Sequence, residues 1–106
     1  MKSIILRKKF GSFLSDGKRG YDFALKEIIP VLQKGETVTL DFDRVENMTD
    51  SFANACLGTV FEDVPEAISE KRLKMINFSS LVRQFIVTTY IRATSQPKGV
   101  HSPSLS

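Results

Sequence analysis

Residues 37–61, TVTLDFDRVENMTDSFANACLGTVF, decide the fold of this chain. Apolar and polar residues alternate over 37–42, which predicts a strand with one buried face. A polar turn follows at 43–48, and Thr49-Asp50-Ser51 is typical of a helix start, because short polar side chains accept hydrogen bonds from the first free N–H groups of a helix. Apolar residues then recur at helical spacing: Phe52, Ala53, Cys56, Leu57, Val60 and Phe61. The amino end of such a helix is a place where an anion can be bound or carried.

The residues before this stretch predict another strand and another helix. Residues 3–9 are apolar at first and basic at their end, which favours a strand. Residues 15–20 have the composition of a loop, and 21–33 carry an apolar stripe at helical spacing. Pro30 removes one hydrogen bond from that helix, so either the helix kinks there or a tighter final turn begins.

The residues after this stretch predict a third strand and a third helix. Residues 62–71 are acidic at first and hold one proline, which predicts a surface loop with a short helical turn at 65–68. A weak alternation over 72–77 predicts the strand, and helical spacing of apolar residues over 80–94 predicts the helix. Three residues are candidates to cap that helix: Asn77, Ser79 and Ser80.

The order β-α-β-α-β-α predicts a single α/β domain over residues 1–94, with a small, mixed, mostly parallel sheet and helices packed against it. The first strand could also pair antiparallel at an edge, and the sequence leaves its orientation open. The last residues, 95–106, are rich in Ser and Pro and predict a flexible tail.

The composition favours a cytoplasmic protein without membrane or nucleic-acid partners. The chain has 106 residues, with 42% hydrophobic and 25% charged residues, which is usual for a soluble globular domain. Its apolar runs are far shorter than the roughly 18 residues that a membrane span requires. The net charge of +3 lies in basic clusters without an aromatic stripe, which argues against nucleic-acid binding. The lone Cys56 lies in the apolar stripe, so we expect a buried thiol.

The segments 38–45 (VTLDFDRV) and 49–53 (TDSFA), with the later 73–77 (LKMIN), resemble the STAS domains of sulphate transporters and anti-sigma factor antagonists. The resemblance spans residues 2–94 and is greatest to a small bacterial STAS-like family without an assigned function. In STAS domains the matching segment is a hydrophobic strand, a turn and a helix start of the form Asp-Ser-Ser/Thr-Gly-Leu. The resemblance implies a STAS-like fold and a non-enzymatic regulatory module without a cofactor. It also implies a protein partner, either an ATP-binding or a kinase-like regulator.

This chain departs from the STAS pattern at the helix start. Phe52 stands where the pattern has Gly, and Ser51 is the single hydroxyl of the Asp-Ser part. Aligning Met48 with the apolar position of the pattern puts Asp50 at the phosphoacceptor position, which would make its negative charge permanent. Aligning Asp50-Ser51 with Asp-Ser instead makes Ser51 the acceptor, and the sequence leaves both registers open.

The resemblance implies a contact surface at the turn and the helix start. The partner-binding residues that we expect there to be exposed are Asp43, Met48, Asp50, Ser51 and Asn54. Ser51 and Asp50 also have an ordinary structural interpretation as helix-capping residues. If Ser51 is a phosphoacceptor, its phosphate adds about −1.5 to −2 charges and repels acidic groups of a partner, so Ser51→Glu should weaken the complex more than Ser51→Ala.

A second hypothesis is a small nucleotide- or anion-binding module that uses the same helix end. Lys18 and Arg19, in the segment Gly17-Lys18-Arg19-Gly20, could assist there. That segment lacks the G-x-x-x-x-G-K-[ST] string of a phosphate loop, so a solvated loop is its ordinary interpretation.

The sequence offers no clear set of catalytic or metal-binding residues. His101 is the only histidine and Cys56 the only cysteine, which argues against a Ser-His-Asp triad and a conventional zinc site. The acidic residues near the second strand lack calcium-loop spacing, and we expect them to form a solvated rim. They are Asp41, Asp43, Glu46 and Asp50. We therefore expect neither an enzyme nor a metalloprotein.

Overall fold

In the computed structural model, which describes residues 1–95, three parallel strands form the main sheet. They are β1 (Lys2–Ile5), β3 (Val38–Asp41) and β5 (Leu73–Ile76), with β3 in the middle. Ile4 is paired with Leu40, which in turn is paired with Met75. The predicted α/β fold is confirmed, and the first strand, whose orientation the sequence left open, is parallel to its neighbour.

The helices cover one face of this sheet. Val38 and Leu40 point into the core and are fully buried. On the other face, Ile5 and Ile76 flank Asp41 and remain 40% and 41% exposed. The core therefore lies between one face of the sheet and the helices, as the alternation in the strands requires.

A second, very short sheet joins the two halves of the chain. It consists of β2 (Phe13–Leu14) and β4 (Asn47–Met48), which are parallel. Leu14 and Met48 point into the core, with exposed fractions of 0% and 2%. The turn predicted at 43–48 thus contains a strand, and residues 13–14 form another that was not predicted, because two-residue strands carry no periodic signal.

Two long helices follow the two short strands. The first, called helix 17–33 below, consists of α2 (Gly17–Phe23), a π-helical segment (Ala24–Ile28) and α3 (Ile29–Gln33). The second, helix 50–63, consists of α4 (Asp50–Phe52), a π-helical segment (Ala53–Gly58) and α5 (Thr59–Asp63). Both helices start at the same end of the molecule, because their preceding strands are paired in parallel.

The predicted loop at 15–20 is wrong in its second half, because the helix already begins at Gly17. Asp16 caps it and accepts a hydrogen bond from the Arg19 N–H at 3.2 Å. Gly20 is buried where the two long helices touch, and a Cβ there would come within 3.0 Å of the Phe52 ring. The glycine is thus explained by close packing between helices, not by a loop.

Helix 17–33 widens before Pro30 and tightens after it, since the Lys34 N–H donates to the Val31 carbonyl at 3.2 Å and the Gly35 N–H to the Leu32 carbonyl at 3.0 Å, each three residues earlier. The Ile29 N–H donates to the carbonyl of Ala24, five residues earlier, which widens the helix just before the proline. Pro30 then lies in the first turn of α3, where its missing N–H leaves no regular hydrogen bond unmade.

The first predicted strand is too long, because α1 (Leu6–Phe10) begins directly after β1. Leu6 is buried and Phe10 packs against the core, and a spacing of four residues puts both on one side of a helix. A strand would instead have turned Lys8 to the same side as these two residues.

The last third of the chain forms the elements that its sequence predicts. The helical turn predicted at 65–68 is α6 (Glu66–Ser69), and the third helix is α7 (Ser80–Thr94). Ser79 caps α7 by accepting a hydrogen bond from the Val82 N–H at 3.1 Å. Within residues 1–95, no helix combines the length and the apolar character needed to cross a membrane. Beyond Ser95, the predicted flexible tail lies outside the described residues.

Candidate functional site

Thr49 is the residue that caps helix 50–63. Its hydroxyl oxygen accepts a hydrogen bond from the Phe52 N–H at 3.1 Å. The same hydroxyl donates to the carbonyl of Ser15 at 3.3 Å. The capping role that the sequence analysis considered for Asp50 and Ser51 thus belongs to Thr49, and these two residues occupy the first turn behind it.

The start of helix 50–63 is tied to the preceding half of the chain by backbone hydrogen bonds. The Glu46 N–H donates to the Ser12 carbonyl at 2.8 Å, and the Thr49 N–H donates to the Leu14 carbonyl at 2.9 Å. Together with the Thr49 hydroxyl, these bonds hold residues 46–49 against 12–15. We call residues 46–54 and the segment 12–21 that supports them the junction.

The side chains of Asp50, Ser51 and Asn54 are exposed at the junction. Met48 is 2% exposed, so the prediction that it is exposed is wrong. The reason is the alternation of β4, which turns Met48 into the core when Asn47 faces outward. Met48 is part of the hydrophobic core and offers no surface to a partner.

Ser51 lies beside the start of the other long helix. A Cβ on Gly17 would come within 3.3 Å of the Ser51 carbonyl oxygen and 3.4 Å of its Cβ. The two helix starts are therefore in direct contact at this point. The exposed hydroxyl of Ser51 stands at the boundary between them.

Asn54 is held by the last helix. The Arg92 Nη1 of α7 donates to Asn54 Oδ1 at 2.8 Å. The two residues line a shallow cleft of about 210 Å³ between helix 50–63 and α7. A partner that contacts Asn54 would thus also meet the Arg92 guanidinium.

Asp43 belongs to the end of the main sheet. Its N–H donates to Asp41 Oδ1 at 2.9 Å, and Asn77 Nδ2 donates to the same oxygen at 3.0 Å. Arg44 follows with a φ of 63°, a left-handed conformation that completes the turn. Asp43 is exposed there, on the turn that leads from β3 to the junction.

The two basic residues of the anion-binding hypothesis, Lys18 and Arg19, differ in their contacts. Lys18 is exposed in the first turn of helix 17–33. The Arg19 guanidinium donates to the Lys9 carbonyl at 3.1 Å and lies 5.0 Å from the Phe10 ring centroid. Arg19 lines a cleft of about 200 Å³ with Lys9 and Glu27, which form an ion pair at 2.7 Å. Arg19 is thus engaged with α1.

The junction combines a buried thiol with exposed hydroxyl, carboxylate and amide groups. Burial raises the pKa of the Cys56 thiol to about 12, so this side chain stays protonated and unreactive at neutral pH. Among residues 1–95, no three His, Cys, Asp or Glu side chains are arranged to hold a metal ion. The exposed groups of Asp50, Ser51 and Asn54 can form hydrogen bonds and charge interactions.

The sequence placed Thr49 at the helix start but did not single it out as the cap, and it gave no sign of Phe13 as a neighbour of the junction. Asp50 and Ser51 are at least as suitable as caps by residue type, so the choice of Thr49 required the structure. Phe13 carried no usable signal, since its pairing with Asn47 depends on the fold.

A family model described as a STAS-like domain of unknown function matches residues 25–83. The matched segment contains β3, the helix start at Asp50 and β5. No curated protein and no solved structure matches the chain.

Proposed function

Starting from the premise that the chain belongs to the family of STAS-like domains of unknown function, we propose that it is a non-enzymatic protein-interaction module. The junction is its docking surface, and its partner is an ATP-binding or kinase-like regulatory protein. The step from fold to partner is an analogy with anti-sigma factor antagonists, which the sequence resembles.

The observation that carries this proposal is the exposure of Asp50 and Ser51 on a fixed helix start. The cap by Thr49 and the bonds to residues 12–15 hold this start in place. A rigid surface loses little conformational entropy on binding, which favours affinity. If Asp50 and Ser51 lay beneath neighbouring side chains, a partner could not contact them.

Phosphorylation of Ser51 would act directly on this surface. A phosphate adds about −1.5 to −2 charges, and the amino end of helix 50–63 stabilises negative charge. The carboxylate of Asp50 lies next in the chain and repels it. The modification would therefore change the charge of the docking surface more than its fold, which is what a switch requires.

The anion-binding alternative has less support. Both helix starts carry an exposed carboxylate, Asp16 on one and Asp50 on the other. Arg19, which was expected to assist, is engaged with α1. Phosphate and ATP should therefore leave the melting temperature unchanged, and a rise that grows with ligand concentration would favour this alternative.

An affinity purification from the native cell tests the docking proposal. Ser51→Arg places a long charged side chain at the centre of the surface and should abolish recovery of an ATP-binding regulator. Lys34→Glu is the matched control, because Lys34 is exposed at the opposite end of helix 17–33 and should leave recovery unchanged. Recovery of the same regulator by Ser51→Arg and the wild type would contradict the proposal.

Peptide-level mass analysis of the protein from its native cell tests the switch. The expected result is a population phosphorylated at Ser51. Purified Ser51→Ala and Ser51→Glu should then differ in their affinity for the recovered regulator, and equal affinities would exclude a switch at this residue.

A further inference from the structure

A cleft between α1 and helix 17–33 lies beside the junction. Phe10 of α1 packs edge-on against Phe23 of the helix, with their ring centroids 5.2 Å apart, and both rings line the cleft of about 200 Å³. Its charged lining consists of three cations and two carboxylates: Lys9, Arg19, Lys26, Asp22 and Glu27. These side chains therefore share one concave surface.

The guanidinium of Arg19 is held in a fixed position at this cleft. It donates to the Lys9 carbonyl at 3.1 Å and lies 5.0 Å from the Phe10 ring centroid. This is its single hydrogen bond within residues 1–95, and it uses one of the five N–H groups of a guanidinium. Because Arg19 is exposed and already positioned, a ligand that binds the other N–H groups has little side-chain entropy to remove.

Glu27 neutralises only part of the positive charge at the cleft. Its carboxylate is shared by two ammonium groups, Lys9 Nζ at 2.7 Å and Lys2 Nζ at 3.8 Å. One negative charge thus faces two positive charges, and Lys9 is also held 5.6 Å from the Phe23 ring centroid.

Three further cations at α1 and the cleft have no ion-pair partner within residues 1–95. They are Arg7, Lys8 and Lys26, all exposed. Leu6 and Phe10 occupy the inner side of α1, so Arg7 and Lys8 face the solvent. When α1, the cleft lining and Lys2 are counted together, six cations stand against two carboxylates.

This excess reflects an uneven distribution of charge along the chain. Residues 1–35 carry eight Lys or Arg and three Asp or Glu, a net charge of +5, whereas residues 36–95 carry six and nine, a net charge of −3. The nearby start of helix 17–33 adds one charge of each sign, Asp16 and Lys18. A surface that complements α1 and the cleft is therefore acidic.

The spacing of the cations favours an extended acidic segment over a small anion. Arg19 and Lys26 are seven residues apart in one helix and line the same cleft, which separates their backbones by about 10 Å. An extended chain advances about 3.3 Å per residue, so carboxylates three residues apart match this distance. A single phosphate is too small to bridge it, in agreement with the unchanged melting temperature that we expect with phosphate.

The aromatic residues of the cleft favour a protein segment over a single-stranded nucleic acid. Bases bind by stacking on exposed aromatic faces. Phe23 is only 4% exposed, and the half-buried Phe10 ring already has the Arg19 guanidinium against it. The cleft thus offers positive charge without a stacking surface.

We propose that the cleft binds an extended acidic segment of the partner protein, with Arg19 and Lys26 contacting its carboxylates and Arg7 and Lys8 attracting it from the outer side of α1. The inference rests on the proposed function, because Arg19 belongs to the junction, and it names the chemistry of the regulator. It also gives the Ser51 switch a direction. Ser51 touches Gly17, two residues before Arg19, so a phosphate there repels the acidic segment.

A titration of the full ¹⁵N-labelled chain with the peptide hexaglutamate tests the site itself. At low ionic strength, amide shifts should change in residues 7–10 and 19–27 and stay constant in α7, and added salt should reverse them. Hexaglutamine is the control of equal length without charge and should leave the spectrum unchanged. Equal shifts with both peptides, or hexaglutamate shifts outside residues 7–10 and 19–27, would overturn the site.

Variants of opposite sign separate binding from a structural role. Arg19→Ala and Lys26→Ala should each weaken hexaglutamate binding roughly two- to fivefold, the range of an exposed charge pair. Glu27→Gln removes the carboxylate that competes with the ligand and should tighten binding by a similar factor. Arg83→Ala, which removes an exposed cation from α7, is the matched control and should bind like the wild type. If Glu27→Gln weakened binding, the proposed role of these charges would be wrong.

Other polyanions are the competing ligands of this surface. A single-stranded oligonucleotide and vesicles of anionic phospholipid are titrated under the same conditions. Both should bind more weakly than hexaglutamate at equal concentration of negative charge. Tighter binding of either one would replace the acidic protein segment as the ligand.

Binding of the regulator recovered by affinity purification distinguishes this inference from the proposed function. Arg19→Ala and Lys26→Ala should weaken its binding, and Glu27→Gln should not. If both alanine variants bind it normally while Ser51→Arg does not, the junction docks a partner without the cleft, and the inference is wrong. If Ser51→Arg binds it normally while hexaglutamate still occupies the cleft, the proposed function fails and the acidic-segment site remains.

Discussion

Thr49 decides the geometry of the candidate site through a single hydroxyl group. That hydroxyl accepts from the Phe52 N–H and donates to the Ser15 carbonyl, so it joins the helix start to the other half of the chain. Asp50 and Ser51 are free to face solvent because Thr49 satisfies the helix end. The site thus depends on a residue that no partner needs to touch.

Removal of this cap should cost stability. We expect Thr49→Ala to lower the free energy of unfolding by about 1 kcal/mol, the usual cost of losing a capping hydroxyl. Ser51→Ala is the control, and its effect should stay within about 0.5 kcal/mol because the residue is exposed. Urea denaturation of the two variants measures both values. If Ser51→Ala destabilised the protein as much as Thr49→Ala, the assignment of Thr49 as the cap would be wrong.

The Cys56 thiol should not react with thiol reagents in the native protein. Because burial raises its pKa to about 12 from the usual 9.0, a thiol reagent at pH 8 should label it only after unfolding. The unfolded thiol loses its proton near pH 9, whereas the folded thiol keeps it. The stability that the Cys56 thiol contributes is therefore complete below pH 9 and falls between pH 9 and about pH 12. The free energy of unfolding of Cys56→Ala should fall less over this pH range. Rapid labelling under native conditions would contradict the burial.

At the scale of the elements, the contact between the two long helices explains both what could and what could not be predicted. The apolar spacing of helix 50–63 was sufficient to predict it, and the same is true of α7. The start of helix 17–33 was missed, because Gly17 and Gly20 are typical of a loop. Their actual role is to let this helix approach Ser51 and Phe52, which is a property of the packed pair.

Two glycines in the long helices should respond in opposite ways to alanine. Gly20→Ala brings a Cβ within 3.0 Å of the buried Phe52 ring, and we expect a loss of about 1–3 kcal/mol from overpacking. Gly58→Ala meets the Thr89 methyl group at 3.5 Å and the Ala53 carbonyl oxygen at 3.9 Å, both ordinary contacts, and we expect a gain of about 0.5–1 kcal/mol from the lower entropy of the unfolded chain. Thermal and urea denaturation compare them. A stabilising Gly20→Ala would show that the helices are less closely packed.

The short strands β2 and β4 mark the limit of sequence reasoning at this scale. Each has two residues, which is less than one period of any hydrophobic pattern. Their pairing nevertheless turns Met48 inward and Phe13 outward. The sequence could therefore propose where the candidate site lies along the chain, whereas the sides to which its residues point required the structure.

At the scale of the whole molecule, the junction lies at one end of an α/β layer. The two long helices start there, and the turn that carries Asp43 leads to it from the end of the main sheet. The order of strands and helices was sufficient to predict this layer, because parallel strands require crossover helices. The exposure of Asp50 and Ser51 at this end is a property of the folded surface, and the order of elements could not predict it.

Hydrogen–deuterium exchange of the chain, alone and in complex with the regulator recovered by affinity purification, tests the central claim most directly. The claim is that the junction is where this module meets another protein. We expect binding to slow amide exchange in residues 12–21 and 46–54 and to leave the end of helix 17–33 unchanged. Protection confined to the open face of the sheet or to α7, with the junction exchanging as in the free chain, would contradict it.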